Sequence, residues 1–585
     1  MLTRLFPLIL VVGCLHAADK PNILLIMTDD QGYWDTGVTG NPHIDTPKMD
    51  RIAKEGVQFT RFYAAPVCAP TRAGVMTGRY YLRTGLYNTR FGGDTLGKDE
   101  ITVAQLLKKA GYRTGLFGKW HLGKYHGYQP QQRGFDEFLG HYHGHIERYE
   151  FADQLVHNGT PVKTRGYVSE LFTDAAMDFI SATKKKTAQP FFCALMFNAP
   201  HSPWVLDTSH YGQPKGDKLL TKYLAKKMPI REARIYALIE RVDQNIGRLL
   251  AHLKAYDLER ETLVVFMSDN GGVSKFWKGG IRGNKGGVHE GGVRSPFYAR
   301  WPGTITAGGV VNGQASHVDL LPTFCELAGA PLAKDRKIDG KSLVKLLKQG
   351  RGDRHHEYVY HTWDRYSPNP DKRWSVSDQR WKLVGLFTKT KPDPDKWQLF
   401  DLQADPGETK NFTAQNPGEV RRLRKAFTDW FTDVTRGQSY RPVPIPVGHD
   451  TRPVELQPSW ATWTGPHINY TFDGYDWDTI DTWKAKGEHA IWLLDVAHAG
   501  RYAVTLSYGC ASINAGGTLR LNVNSSSLDH KVRATATAEQ FGHFPIGTLN
   551  LPTGHATLKA TVHRPGPSEL MRLNGIHLRR LPDNR

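Results

Sequence analysis

Two short acidic clusters carry the first hint of chemistry. Asp29-Asp30 and Asp269-Asn270 each stand one hydroxyl residue, Thr28 or Ser268, beyond a run at 22–27 or 262–267 that is apolar after its first residue. All four side chains offer oxygen, and three carboxylates share a crevice only when a cation or protons neutralise them. An all-oxygen set suits a hard ion such as Ca²⁺ or Mg²⁺ rather than zinc, which draws on His or Cys. An Asp after a strand can also cap the next helix, but the recurrence of the pattern favours a shared site. The third feature is the stretch Pro66-Val67-Cys68-Ala69-Pro70-Thr71-Arg72. Pro70 suits the first turn of a helix, so Cys68 falls at its N-terminus, where free amides and the helix dipole favour an anion. With Arg72 one turn on, this is a place to hold an oxyanion. A lone cysteine otherwise reads as a small buried hydrophobe.

The elements that must position these groups alternate between strand and helix. The apolar runs at 22–27 and 262–267 predict strands buried on both faces, each ending in a polar loop. Thr46-Pro47 opens a helix that closes at Gly56, and a second runs from Thr102 to Ala110 ahead of a short strand at 113–117. From Arg231 to Leu253, apolar residues recur at helical spacing. The alternation predicts an α/β fold over residues 20–349, a mostly parallel sheet flanked by helices, with ligands gathered at the carboxyl ends of the strands. Shorter aromatic-rich strands and a helix from Gly418 to Val434 predict a smaller α+β subdomain over 350–436. The Pro-rich stretch 437–458 reads as an extended linker. Period-two runs at 502–508, 518–523 and 556–562 predict an appended antiparallel β-sandwich over 459–585.

The 585 residues are 39% hydrophobic and 23% charged, which excludes a disordered or fibrous chain. Lys and Arg exceed Asp and Glu by 19, a surplus suited to a polyanionic partner. Five cysteines, at 14, 68, 193, 325 and 510, are too few and scattered for a disulfide framework. Arg4, an apolar stretch at 5–14 and Ala17-Ala18 have the layout of a signal peptide over 1–18, so the chain is expected to be exported, to the periplasm or beyond. The stretch is too short to span a bilayer. Val11-Val12-Gly13-Cys14 also resembles a lipobox, but few residues would separate a lipid on Cys14 from the first strand, so anchoring is the less favoured reading.

The ordered motifs resemble those of the type I, formylglycine-dependent sulfatases of the alkaline-phosphatase superfamily, in particular the arylsulfatase and N-acetylgalactosamine-sulfatase-like branch. Cys68-Ala69-Pro70-Thr71-Arg72 fits the Cys-x-Pro-x-Arg signal, and the stretch from Gly111 to Lys119-Trp120-His121 fits the second signature. Asn198-Ala199-Pro200-His201, Ser268-Asp269-Asn270-Gly271, Lys285 ahead of Glu290-Gly291-Gly292-Val293-Arg294, and Leu399-Phe400-Asp401-Leu402 with Asp405-Pro406-Gly407-Glu408 are similar too. The resemblance covers residues 20 to 435 and implies an alkaline-phosphatase-like fold.

The resemblance implies that Cys68 is oxidised to formylglycine by a maturation enzyme and that its hydrate is the nucleophile. A serine would be left as a stable sulfate ester, whereas a geminal diol expels sulfate when its second hydroxyl loses a proton. It further implies that Asp29, Asp30, Asp269 and Asn270 bind one Ca²⁺ together with residue 68, and that Asp269 helps deprotonate the attacking hydroxyl. Arg72 and Lys119 would hold the hydrate and the developing charge, Lys285 and His201 would contact the sulfate and protonate the leaving group, and His121 would take the second hydroxyl proton. Thr71 stands where serine is commoner, and Gly74 where many relatives have a bulkier residue. The expected partners are a sulfated carbohydrate and the maturation enzyme, with no nucleic acid and no transmembrane span.

Two other readings stand beside this one. A phosphodiesterase or phosphonate hydrolase would share the fold, but Asn270 stands where two-zinc relatives supply His. A non-catalytic protein binding sulfated polysaccharide would rely on the sandwich, whose Trp460, Trp463, Trp477, Trp483 and Trp492 serve either core packing or sugar stacking. The loop carrying His141, His143, His145, Arg148 and Tyr149 is a substrate subsite or a plain solvated loop. Trp204, Trp277 and Arg282 carry the same ambiguity.

Overall fold

The residues 23–27 have no polar face to show water, and they form the middle of the strand Asn22–Thr28, buried along its whole length. The computed structural model describes residues 20–582 apart from 91, 151, 187–188, 205, 207–216, 387–395 and 473–476. The N-terminal segment read as a signal peptide, with Cys14, lies outside the described residues. Asn22–Thr28 sits within an 11-stranded sheet, parallel to Phe191–Met196 on one side and Thr262–Ser268 on the other. Successive side chains point to opposite faces. Ile23, Leu25 and Met27 therefore enter one core with the helices Cys68–Thr77, Val103–Lys109 and Leu320–Ala328. Leu24 and Ile26 enter the other, with Pro47–Lys54, Val168–Lys186 and Ile230–Ala255.

Arg113–Lys119 and Glu137–His141 extend the parallel set beyond Phe191–Met196. The next strand on each side, Phe297–Arg300 and Leu155–His157, runs antiparallel. The fold is thus the expected α/β sheet between two helical layers, with a mixed periphery. The helix starts follow local chemistry: Thr102 and Gln105 form a capping box, and Pro47 occupies the first turn of its helix.

A four-stranded antiparallel sheet, Val359–Thr362 to Gln398–Asp401, follows. The helix Pro417–Thr435 packs on it, with Phe427 stacked on Trp374 at 4.6 Å. Beyond it, two sheets built around His489–Val496 and Gly500–Gly509 enclose a third core. The Pro-rich stretch differs from a free linker. Ile445–Val447 pairs with His489–Val496, and Val454–Leu456 pairs with Arg572–Arg580, so it supplies edge strands to both sheets. Proline lacks the amide that an inner strand needs, and an edge is where a sheet tolerates it.

Candidate active site

Two neighbouring strand ends create the centre. Thr28 and Ser268 are in register, so Asp29-Asp30 and Asp269-Asn270 leave the sheet side by side, all four buried. Asp30 donates its amide to Asp269 Oδ1 at 3.3 Å, and Asn270 Nδ2 donates to Asp30 Oδ1 at 2.9 Å. Asp30 has a φ of 74°, a left-handed conformation that a non-glycine residue holds only where its surroundings impose it. Cys68 is the first residue of its helix, and its Sγ and one carboxylate oxygen each of Asp29 and Asp269 lie within 4.8 Å of one another.

Cations surround this group. Lys119 ends its strand and is ion-paired with Asp29. Its approach depends on Gly118, whose φ is 116° and whose Cβ, if present, would stand 1.9 Å from the Met196 carbonyl oxygen. Arg72 Nε and Nη2 donate to Asp269 Oδ2 at 3.1 and 2.8 Å, and Nη1 donates to the Lys119 carbonyl at 2.7 Å. Lys285 Nζ lies 2.6 Å from Asp30 Oδ1, and His201 Nε2 lies 3.9 Å from Asp30 Oδ2. Cys68, Asp30, His121, His201 and Lys285 line one cavity of about 520 Å³. All ten residues singled out from the sequence converge on this one place.

The donor set fits a hard cation. Asp29 Oδ1 and Asn270 Oδ1 are buried with no hydrogen-bond partner, two oxygens taken from water and left for something else to satisfy. Burial pushes Asp30 and Asp269 above the usual carboxylate range, and the charge of Asp29 adds to both shifts. Asp29 is held well below that range although burial opposes it, because Lys119, His201, Arg72 and Lys285 act on it together. Burial raises the Cys68 thiol, against the pull of Lys119 and Lys285, so it is not a ready thiolate. Burial and then Lys119 hold His121 well below the usual imidazole value, and burial and then Lys285 do the same to His201.

Several supporting residues had no role in the sequence reading. His121 has a φ of 58°. Its Nε2 meets the Thr89 carbonyl at 3.1 Å and lies 3.7 Å from Asp94 Oδ2. Gly144 lies against that ring, and a Cβ there would stand 2.5 Å from it. Asn198 Nδ2 meets His141 Nε2 at 2.7 Å, while Tyr149 Oη donates to the His201 carbonyl at 2.6 Å. The histidine loop therefore divides: His141 and Tyr149 are buried supports and His145 lines the cavity. Trp204 lines it too, while Trp277 packs on Trp34 and Arg282 bonds to Gln398. Thr71 Oγ1 accepts the Ala65 amide at 2.8 Å. Gly74 leaves room for His317, whose ring would be 2.4 Å from a Cβ. No spacing rule announces such contacts, since apart from Ala65 and Thr71 the partners are remote in the chain.

A profile described as Sulfatase matches residues 21–330. The chain belongs to the sulfatase family. It is a sulfuric ester hydrolase. A second profile, "N-sulphoglucosamine sulphohydrolase, C-terminal", matches residues 284–433 of this sulfatase. Among curated relatives, the N-acetylgalactosamine-6-sulfatase of Sus scrofa is 33% identical over 71% of this chain and 86% of its own length. The steryl-sulfatase of Mus musculus is 30% identical over 77% and 87%. A solved structure of Ps i-CgsB in complex with k-i-k-neocarrahexaose superposes with a TM-score of 0.64 at 28% identity, covering 72% of this sulfatase and 95% of that chain. Both profiles end before the sandwich begins.

Proposed function

We propose that this sulfatase is exported, depends on Ca²⁺, and hydrolyses sulfate esters of carbohydrates with a formylglycine formed from Cys68. The observation that carries the reading is the meeting of Cys68 with Asp29 and Asp269 under the charges of Lys119, Arg72 and Lys285. The raised thiol argues that cysteine itself is not the attacking group. Formylglycine, once formed, supplies a geminal diol in which one hydroxyl attacks sulfur and the other, on deprotonation, releases sulfate. Asp29, Asp30, Asp269 and Asn270, with residue 68, would hold the cation, which supplies charge to neutralise the acids and polarise the ester.

The chain's own groups do the rest. Arg72 orients Asp269 through two hydrogen bonds to Oδ2 while Oδ1 accepts the Asp30 amide, and the carboxylate held in this way is the proton acceptor for the attacking hydroxyl. Lys119 and Lys285 flank the position where negative charge develops, the arrangement that lowers a barrier most in a water-poor site. His201, on the open side of the cavity, is placed for the leaving-group oxygen. His121, uncharged and braced by Thr89, is placed to take the second hydroxyl proton. Sulfated carbohydrate as substrate is supported by the name of the N-acetylgalactosamine-6-sulfatase relative and by the oligosaccharide in the Ps i-CgsB complex. Export is supported by the layout of residues 1–18 and is compatible with the absence, among the described residues, of any helix long and apolar enough to cross a membrane.

The test pairs mass spectrometry of the peptide spanning 62–79, from protein made with a maturation system, with turnover of sulfated glycans, aryl sulfates and phosphate monoesters. Conversion at residue 68, sulfate-ester turnover and its loss in Cys68→Ala are expected. Full conversion with no sulfate ester cleaved, or faster cleavage of phosphate esters, would sink the proposal.

A further inference from the structure

The α/β unit does not complete its own cavity. Trp477, from the sandwich, lines the same space as Cys68, His201 and Lys285 and is 39% exposed. Its indole lies 5.0 Å from the His145 ring, which in turn lies 5.7 Å from the ring of His201. Three rings thus run in sequence from the sandwich to the catalytic pocket. On its C-terminal side, buried Asp478 accepts the amides of Phe472 at 3.0 Å and Thr479 at 2.8 Å. Thr471 donates to the Thr479 carbonyl at 3.0 Å, next to the paired strands Asn469–Tyr470 and Ile480–Asp481.

The sandwich is seated firmly enough for this placement to matter. Tyr125 of the α/β unit belongs to the sandwich core. It donates to the Glu455 carbonyl at 2.8 Å and packs edge-on to Trp460 at 4.7 Å. Gly92, in the loop that carries Thr89 and Asp94, passes so close to Trp460 that a Cβ would stand 3.0 Å away. The same cavity is lined by Arg365, which is exposed and takes part in no ion pair among the described residues. Its carbonyl is held by Asn88 Nδ2.

We infer that Trp477 and Arg365 form a subsite for the part of the substrate beyond the sulfated ring, so that the preferred substrate is an acidic oligosaccharide of two or more rings. An indole offers an apolar face to the C–H face of a sugar, and a guanidinium can pair two of its N–H groups with two oxygens of a second sulfate or of a carboxylate. A cavity of about 520 Å³ falls within the range that encloses ligands of several rings. The inference rests on the carbohydrate reading above and adds to it that a residue outside the matched sulfatase profiles, Trp477, shares in setting specificity with Arg365, which lies within the second profile.

The test uses the full matured chain and four probes: 4-nitrophenyl sulfate, N-acetylgalactosamine 6-sulfate, a disaccharide joining that sugar to a uronic acid, and a sulfated neocarra-oligosaccharide. For Trp477→Ala, kcat/KM on the preferred oligosaccharide should fall about tenfold further than on 4-nitrophenyl sulfate, through KM, with Trp477→Phe recovering most of the loss. Arg365→Gln should narrow the advantage of a doubly charged probe over the singly charged sugar. Equal losses on all probes would mark Trp477 as merely structural, and no loss on oligosaccharides would place the subsite elsewhere; either overturns the inference while leaving the sulfatase reading intact. A wild-type enzyme that cleaves 4-nitrophenyl sulfate and no sugar overturns both the carbohydrate reading and the subsite.

Discussion

Asn270 Nδ2 donates to Asp30 Oδ1 at 2.9 Å, and Lys285 Nζ reaches the same oxygen at 2.6 Å. One carboxylate thereby joins the floor of the site, from the strand ends, to its open side, from the loop before Glu290. Asn270 Oδ1 is left unpartnered beneath.

Removing the cation should therefore loosen the whole floor. Treatment with a Ca²⁺ chelator is expected to abolish turnover and to lower the melting temperature by several degrees, since a ligand at about a hundred times its Kd stabilises by about 2.7 kcal/mol. Added Ca²⁺ should restore both, and Zn²⁺ should not, because the donors are all oxygen. Full activity in the chelated enzyme would contradict the assignment of these oxygens.

Gly144 lines the same cavity and is expected to be as sensitive as a catalytic residue because of its contact with the His121 ring. In Gly144→Ala the added methyl must displace the His121 ring from the Thr89 carbonyl. A displacement of about 1 Å costs up to a hundredfold in rate. Steady-state kinetics should show a lower kcat with little change in KM, while the melting curve stays close to wild type. Unchanged kcat would mean that the ring position is not critical.

Lys382 ties the α+β subdomain to the catalytic loops. Its fully buried Nζ lies 2.8 Å from Glu290 Oε1 and 3.1 Å from Glu408 Oε1. Lys382→Met removes the cation from buried Glu408 and leaves Glu290 to Arg294 at 3.8 Å, and should destabilise by about 3–5 kcal/mol. Denaturant midpoints measure this directly, and a stable variant would show that protonation of Glu408, which burial already pushes up to about 7, is enough to compensate.

Asp319 predicts acid sensitivity. It is fully buried, accepts the Ser316 and Lys341 amides at 2.8 Å each, and meets His356 Nε2 at 2.7 Å. Burial opposes its ionisation, yet His356 and His355 hold its carboxyl well below the usual range. A depressed carboxyl stabilises the fold above its unfolded value, about 3.9, and that contribution fades as the pH falls through it. The stability gap between wild type and Asp319→Asn should be wide at pH 7 and shrink below about pH 4. A gap independent of pH would point to packing instead.

The sequence by itself determined the strands, because a run such as 23–27 has only apolar side chains and must be covered on both faces. It also determined which residue types gather at strand ends, since Asp29-Asp30 and Asp269-Asn270 follow their strands without a gap. Cys68 was legible as a helix start because Pro70 and the flanking residues act locally. Tertiary structure alone decided what depends on distant approach: Gly144 against His121, Asn198 against His141, the edge strands drawn from residues 437–458, and Trp477 at the cavity rim. Local pattern records which face of an element is apolar, but not which remote side chain will lie against it. That is settled only when the elements have packed and brought distant side chains into contact.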